Sequence, residues 1–504
     1  MTHPPSLDQL PELLAGRGDR RFLFHTRRHV ETFSFAQMHE QVVQAAQVLH
    51  SLGIGAGSVV GLVTENDFSG VLADLALMRL GCTTVHLPEN GAADTLQALG
   101  HRLDMLLVAE AQRGAVGEGS YTQIGTVGGL LVLQRTRREP DAAPWAAPGT
   151  PAVIFSSGTT GRTKKIQVNR DGVVQSALNF FQAFGLNSDD LLLLFLPLSN
   201  YQQKLLIYGC ILTGVDVCLT DQRNVLSALP MVQPTLFLAP PLFYESAWKL
   251  AQVQSEPDAQ GVTGRLRAQL GGRLRIAWSG MAPIPPAILE GFAAAGVPVI
   301  EAYGMTEFGP IASNRPGDSR IGSVGRPLVP GSVTLAEDGE ILLHSRTPLT
   351  LSYLDESEEE NRRVYVAPGL IASGDVGRFD EQGFLHLTGR KKEVLITSSG
   401  HKVYPPAIER VFHELGFVKH VVVMGSDRPH LGVLLVLGGD PPADALDRIQ
   451  LQIKAANAGA CDRVPIKKWH VTRDDFTPDN GMLTRNLKLN RPRIHAAYED
   501  AVFA

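Results

Sequence analysis

Val153-Ile154-Phe155-Ser156-Ser157-Gly158-Thr159-Thr160-Gly161-Arg162-Thr163-Lys164-Lys165 is the stretch on which the reading of this chain turns. An apolar run leads into a loop of glycines and hydroxyl side chains, and a lysine pair closes it. Glycine lets the backbone turn tightly and present its N–H groups, hydroxyls add donors, and a lysine supplies counter-charge. That combination suits a polyphosphate. The spacing is not G-x-x-x-x-G-K-[ST], so the ordinary P-loop is excluded and another kind of nucleotide site is indicated. Standing alone, the segment would read as a polar hairpin between two strands.

Outward from the loop, strand-like and helix-like runs alternate. Ser34 and Gln37 have capping-box spacing, and Met38, Val42, Ala45, Leu49 and Leu52 recur at helical intervals until Gly53, which predicts a helix over 34–52. Runs at 58–63, 83–87, 191–196, 235–238, 275–278 and 297–301 read as strands, with helical stretches such as 71–80 between them. This alternation predicts βαβ units and mainly parallel sheets. Residues 110–148, rich in Ala, Gly and Arg, read as irregular surface. After about residue 320, short alternating segments (340–344, 384–387) predict a smaller antiparallel section. Past the charged Gly389-Arg390-Lys391-Lys392-Glu393, strands at 394–397, 418–424 and 433–437 and helices at 405–415 and 446–456 predict a compact α+β unit. The expectation is an α/β chain with a large N-terminal domain, 1–389, and a small mobile α+β C-terminal domain, 390–504.

The 504 residues carry 46 Lys and Arg against 51 Asp and Glu, a net charge of −5, with 44% hydrophobic residues. That balance argues against a nucleic-acid binder that relies on a basic face, while leaving room for a local basic patch, and the hydrophobic content supports a folded core. The cysteines (Cys82, Cys210, Cys218, Cys461) form no C-x-x-C pair and read as reduced core or surface thiols. The N-terminus shows no basic segment followed by an apolar one, and no apolar run is long enough to span a bilayer. A cytoplasmic protein is expected, with no nucleic acid and no transmembrane segment.

Further segments stand in order after the loop: Ser279-Gly280-Met281-Ala282-Pro283, Tyr303-Gly304-Met305-Thr306-Glu307, Ser373-Gly374-Asp375, Gly389-Arg390-Lys391-Lys392 and Leu483-Thr484-Arg485-Asn486-Leu487-Lys488-Leu489-Asn490-Arg491. Together they resemble the adenylate-forming superfamily of acyl- and aryl-CoA synthetases, peptide-synthetase adenylation domains and firefly luciferase. The resemblance covers essentially the whole chain, and the tail is most similar to long-chain fatty acyl-CoA synthetases. It implies that a carboxylic acid is activated by ATP and Mg²⁺ as an acyl-adenylate and passed to a thiol.

The resemblance also implies roles for residues. Ser156, Ser157, Gly158, Thr159, Thr160, Gly161 and Lys164 correspond to the β/γ-phosphate loop, with Thr163 where Pro is common and Lys165 where Gly is common. Gly280, Ala282, Pro283, Glu301, Ala302 and Tyr303 correspond to the nucleotide site. Thr306 would donate to the α-phosphate, and Glu307 corresponds to the Mg²⁺ ligand. Asp375 would accept from the ribose hydroxyls, and Arg390 would bind ribose or phosphate. Lys392 corresponds to the hinge. Lys488 corresponds to the catalytic lysine, whose ammonium would neutralise two mutually repelling anions, the substrate carboxylate and the α-phosphate.

Asn200, Tyr201 and Gly304 correspond to the acyl pocket, and Trp278 either narrows that pocket or belongs to the core. Fatty-acid activators commonly have His where Asn200 stands, amino-acid activators place an Asp in this region, and some hydroxybenzoate activators use an Asn nearby. A fatty or otherwise apolar acid is therefore expected, with an aryl acid as the alternative. Gly400 would admit the pantetheine arm of CoA or of a separate acyl carrier protein, since phosphopantetheine presents the same thiol in both. A non-thiol acceptor, or a nucleotide-binding sensor without turnover, are the rival readings.

Overall fold

The computed structural model describes residues 5–27, 29–88, 92–99, 102–117, 119–136, 145–157, 163–253, 261–412, 414–458, 464–477, 479–483 and 489–504. Two compact units are distinguished: Met1–Ser156, Lys164–Val333 and Leu343–Ile371 form the first, and Ser157–Thr163, Thr334–Leu342 and Ala372–Ala504 the second.

The first unit is α/β and rests on two large sheets. Val59–Val63 is flanked in parallel by Thr83–His86 and Met105–Ala109. The helix Phe68–Arg79 that connects the first two buries nearly its whole circumference, from Gly70 to Met78, so its apolar residues show no single stripe. The order of this sheet is Thr350–Leu354, Thr163–Val168, Ala152–Ser157, Thr83–His86, Val59–Val63, Met105–Ala109, Leu130–Arg135, Tyr121–Val127. The second sheet runs Arg326–Pro327, Gly309–Ser313, Val299–Met305, Ile276–Ser279, Leu236–Ala239, Leu191–Leu194, Asp216–Leu219, Arg21–His25, Val30–Ser34. Its interior is parallel and its two ends antiparallel. The expected strands form, with ends shifted by a few residues.

Helix Phe35–Ser51 begins as its sequence requires. The Gln37 N–H donates to Ser34 Oγ at 3.1 Å, and the Ser34 N–H donates to Gln37 Oε1 at 2.8 Å. Met38, Val42, Ala45 and Leu49 are buried on one stripe, and Gly53 ends the run at φ +84°.

Residues 121–135 correct the reading of 110–148 as irregular surface; 118 and 137–144 lie outside the described residues. Tyr121–Val127 and Leu130–Arg135 form an antiparallel hairpin, and Leu130 to Leu133 are buried. Its two turn residues, Gly128 and Gly129, have φ +54° and +84°. Two left-handed residues match the twist of paired strands, which makes Gly-Gly between apolar runs a hairpin signal. The Ala/Gly-rich composition on both sides masks it.

In the second unit, Val418–Met424 pairs antiparallel with Leu431–Leu437, and Ile466–Thr472 pairs parallel with the same middle strand. Alternation along Leu431–Leu437 serves two cores. Leu431, Val433 and Leu435 pack with Ile408, Phe412, Ile449 and Ile453 from helices Pro405–Phe412 and Ala445–Ala458. Leu434 and Val436 pack with Phe476, Leu483, Ile494 and Val502, the last two from helix Arg491–Phe503. A strand buried on both faces reads as a continuous apolar run, as this one does. Among the described residues, no helix is long and apolar enough to cross a membrane.

Candidate active site

The turn Thr306-Glu307-Phe308 joins the antiparallel strands Val299–Met305 and Gly309–Ser313 of the first unit. Glu307 is only 8% exposed there. The Thr350 hydroxyl donates to its backbone carbonyl at 2.5 Å, and the Tyr353 hydroxyl donates to its Oε1 at 2.8 Å. Thr350 Oγ1 also lies 2.9 Å from the Tyr365 hydroxyl; with the Thr350 proton committed to Glu307, Tyr365 is the donor. Burial first, then the Glu307 charge, pushes the Tyr353 phenol well above its usual pKa, so it stays protonated and donating.

Lys164 meets the same tyrosine from its face. Its Nζ stands 4.2 Å from the Tyr353 ring centroid and 3.6 Å from Glu360 Oε2. One ring thus brings together the loop lysine and the acidic residue, which are far apart in sequence. Lys165, the departure beside it, is engaged elsewhere. Its Nζ is 2.8 Å from Asp355 Oδ2, which also accepts from Trp145 Nε1 at 3.3 Å. Burial opposes the Asp355 charge, but Lys165 and Trp145 outweigh it and hold the carboxyl below its usual range. Ser156 is buried at the end of its strand. Gly158, Thr159, Thr160 and Gly161, the side chain of Ser157, and Lys488 lie outside the described residues.

A narrow cleft of the first unit is lined by residues that include Gly280, Met281, Ala302, Tyr303 and Gly304, together with Gln202. Met281 holds φ +72°, an uncommon conformation for a residue with a side chain. Asn200 reaches its sulfur, with Nδ2 at 4.0 Å. Asn200 also caps helix Tyr201–Thr213, its Oδ1 accepting from the Gln202 N–H at 3.2 Å. Ala282 and Pro283 are exposed beyond the strand Ile276–Ser279, and the Gly322 N–H donates to Glu301 Oε2 at 3.2 Å.

Two candidates for the acyl pocket stand off this cleft. Trp278 is fully buried, 5.1 Å from the Phe180 ring and 5.0 Å from Phe184, and its carbonyl accepts from the Tyr244 hydroxyl. It backs Phe180, which lines the cleft. Tyr201 shares a helix face with Lys204 and Tyr208, at i, i+3 and i+7, and that face meets Asp74. Lys204 Nζ is 2.5 Å from Asp74 Oδ1, and the Tyr208 hydroxyl donates to Asp74 Oδ2 at 2.5 Å. Gln202, one position on from Tyr201, points into the cleft instead.

In the second unit, Asp375 and Arg390 are register partners on strands Leu370–Phe379 and Leu385–Arg390, with Nε 3.1 Å from Oδ1. Lys391, which reads as a solvated charge in sequence, bridges Asp338 and Glu340 at 2.7 Å each. The hydrogen bonds that its ammonium donates to these carboxylates, Asp338 first, raise its pKa. Lys392 is exposed in the turn Lys391–Glu393. Gly400 is exposed at φ +78°, its N–H bonded to the Thr397 carbonyl at 2.8 Å.

Residues 11–344 match the AMP-binding enzyme family, and residues 392–504 match the AMP-binding enzyme C-terminal domain. The chain belongs to this family. The long-chain-fatty-acid–CoA ligase FadD15 of Mycobacterium bovis is 26% identical over 541 residues, 90% of this chain and 89% of its own. A 2-succinylbenzoate–CoA ligase of Listeria innocua is 28% identical over 403 residues, 78% of this chain and 80% of its own. Among solved structures, the anthranilate CoA ligase AuaEII in complex with anthranoyl-AMP is similar with a TM-score of 0.78 at 22% identity, covering 100% of this chain and 99% of that one. That likeness shows a shared fold.

Sequence reading of this AMP-binding enzyme missed Tyr353, Thr350 and Gln202. Strict alternation would put Thr350 and Tyr353 on opposite faces of the strand Thr350–Leu354. A register shift between Thr350 and Ser352 turns both inward and leaves Leu351 exposed. Gln202 had a usable signal, since a wheel that sets Tyr201, Lys204 and Tyr208 together leaves Gln202 on another face.

Proposed function

We propose that this enzyme activates a carboxylic acid with ATP and transfers the acyl group to a thiol. In the first half-reaction a carboxylate oxygen attacks the α-phosphorus of ATP, the α–β anhydride bond breaks and pyrophosphate leaves. In the second, a thiol attacks the acyl carbon, the bond to the AMP oxygen breaks and the thiol proton goes to solvent. The observation that carries this reading is the gathering of Lys164 and Glu307 on Tyr353. A buried carboxylate a ring's length from an ammonium suits a triphosphate that arrives with a cation.

The donor set fits Mg²⁺. Glu307 Oε1 takes the Tyr353 hydrogen bond, and Oε2 has no hydrogen-bond partner among the described residues. Among those residues no cluster of three or more His, Cys, Asp or Glu is placed to hold a metal. Mg²⁺ is commonly bound by one or two carboxylates plus substrate phosphates, so Glu307 is the residue that would hold it. When bound, Mg²⁺ neutralises charge that gathers on the phosphate oxygens.

Within this proposal the 156–161 loop and Lys164 bind the β/γ-phosphates, and Thr306 donates to the α-phosphate. Gly280 to Pro283 and Glu301 to Tyr303 line the nucleotide, Asp375 accepts from the ribose, and Arg390 orients that carboxylate. Lys488 bridges carboxylate and α-phosphate during adenylation. A C-terminal domain, 390–504, then pivots at Lys392, and Gly400 admits the thiol of CoA or of a carrier protein. Free buried thiols at Cys82, Cys210 and Cys218 accord with the cytoplasm.

The acid is fatty or otherwise apolar. A second reading, an aryl acid, is favoured by the lining of the cleft, where Phe180 is backed by the buried Trp278 and Gln202 offers an amide. ATP–pyrophosphate exchange across fatty, aryl and amino acids tests both, and product analysis with CoA and with a pantetheinylated carrier identifies the acceptor. Exchange with none of these acids overturns the proposal.

A further inference from the structure

We infer that Tyr353 is a positioning residue for the metal–nucleotide end of the site, setting the Glu307 carboxylate with its hydroxyl and the Lys164 ammonium with its ring face. The inference deepens the proposed function and rests on it. Its basis is one side chain with two separate engagements: the hydroxyl 2.8 Å from Glu307 Oε1, and the ring centroid 4.2 Å from Lys164 Nζ. Tyr353 is 7% exposed and is held edge-on to Tyr365, with ring centroids 5.5 Å apart. Tyr365 in turn is tied through Thr350 to the Glu307 carbonyl. The ring therefore has little freedom, and both charges inherit its position.

The chemistry explains why a tyrosine is needed. A carboxylate with two free oxygens can rotate between monodentate and bidentate poses. A donor on Oε1 fixes the plane and leaves Oε2 to the cation, and loss of such an outer partner typically weakens metal binding about 10–100-fold. Phenylalanine would keep the face under Lys164 and lose the donor. Leucine would lose both.

The test is Mn²⁺ binding to the full chain in the presence of ATP and without acid, read by electron paramagnetic resonance. Mg²⁺ titration of pyrophosphate exchange accompanies it. Tyr353→Phe should weaken Mn²⁺ binding roughly tenfold or more, and its exchange should return to wild-type rate at saturating Mg²⁺. In a Glu307→Gln background the same change should have no further effect. Tyr353→Leu should in addition weaken ATP binding measured without metal. Equal Mn²⁺ affinity for wild type and Tyr353→Phe overturns the inference. So does a Tyr353→Phe defect that excess Mg²⁺ does not rescue, since that would be a structural effect. Failure of the wild type itself to bind Mn²⁺ with ATP is a different result and overturns the proposed function as well.

Discussion

Arg491 forks onto Glu409, with Nη1 and Nη2 each 2.7 Å from one carboxylate oxygen. Glu409 is buried in the second unit and Arg491 is half-buried beside it, and Glu409 Oε1 also accepts the Val423 N–H at 2.9 Å. Arg491 Nε reaches Glu393 Oε2 at 3.2 Å. In sequence, Arg491 follows Lys488 by three residues and Glu393 follows Lys392 directly. One guanidinium thus ties the chain just after the proposed catalytic lysine to the chain just after the proposed hinge.

Removing Glu409 leaves the half-buried Arg491 with only its single contact to Glu393, and breaking one side of such a pair is strongly destabilising. Glu409→Ala should therefore destabilise the second unit by about 3–5 kcal/mol. Urea unfolding followed by Trp469 fluorescence, in a background with the other tryptophans replaced by Phe, measures it. A loss under 1 kcal/mol would mean that water reaches Arg491 and replaces the carboxylate.

Elements with a local cause were legible in the sequence. The Ser34–Gln37 box, the Gly53 stop and the strand expected at 433–437 follow from neighbours along the chain. Lys164, Glu307, Asp375 and Arg390 were each visible as residues, because resemblance marks positions. Their supports were not. Tyr353 depends on a bulge that shifts the pleat, and Asp338 and Glu340 meet Lys391 from about fifty residues away. Trp278 takes the core reading of the two that its sequence left open, and Tyr201 shows the opposite failure. A large side chain beside a pocket segment looks like a lining residue until packing shows which way it points.

The two proposed C-terminal lysines should separate the half-reactions. Lys488→Ala should slow adenylation roughly 10²–10³-fold, the cost of one preorganised electrostatic contact. It should spare thioester formation from supplied acyl-AMP. Lys392→Pro should do the reverse, since the pivot is needed only between steps. Pyrophosphate exchange and single-turnover acyl transfer read the two steps apart. Parallel loss of both in Lys488→Ala would remove it from its role.

Asp190 makes stability of the first unit depend on acid. Burial disfavours its charge, but Arg275, the Asn187 N–H and Thr235 prevail and lower its pKa from the ordinary 3.8. Arg275 grips it with Nε and Nη2, each at 2.6 Å. Because the folded value is the lower one, the stabilisation is fully present above the ordinary value and is lost as pH falls through the folded one. Asp190→Asn should cost roughly 1.5–3 kcal/mol near neutrality. The gap to wild type should shrink as pH drops below 3.8. Thermal unfolding of both proteins across that range checks the sign; a gap that widens in acid would contradict it.

Gly304 sits where the cleft and the proposed metal end of the site share one hairpin. A Cβ there would lie 2.7 Å from the Gly309 carbonyl oxygen and 3.3 Å from Pro310 Cα, both backbone atoms that no rotamer change can move aside. The ladder is already irregular between Tyr303 and Gly304, so a methyl group would pry apart the two strands that hold the Glu307 turn. Gly304→Ala should raise KM for the acid and weaken Mn²⁺ binding with ATP together, because the same displacement enters the cleft and moves Glu307 from Tyr353. Gly296→Ala is the control: with φ +68° and open space around it, it should cost only backbone strain, about 1–2 kcal/mol, and leave both binding constants alone. A Gly304→Ala protein with altered acid KM but wild-type Mn²⁺ affinity would show that the hairpin yields locally, and that the two ends of the site are not mechanically joined through it.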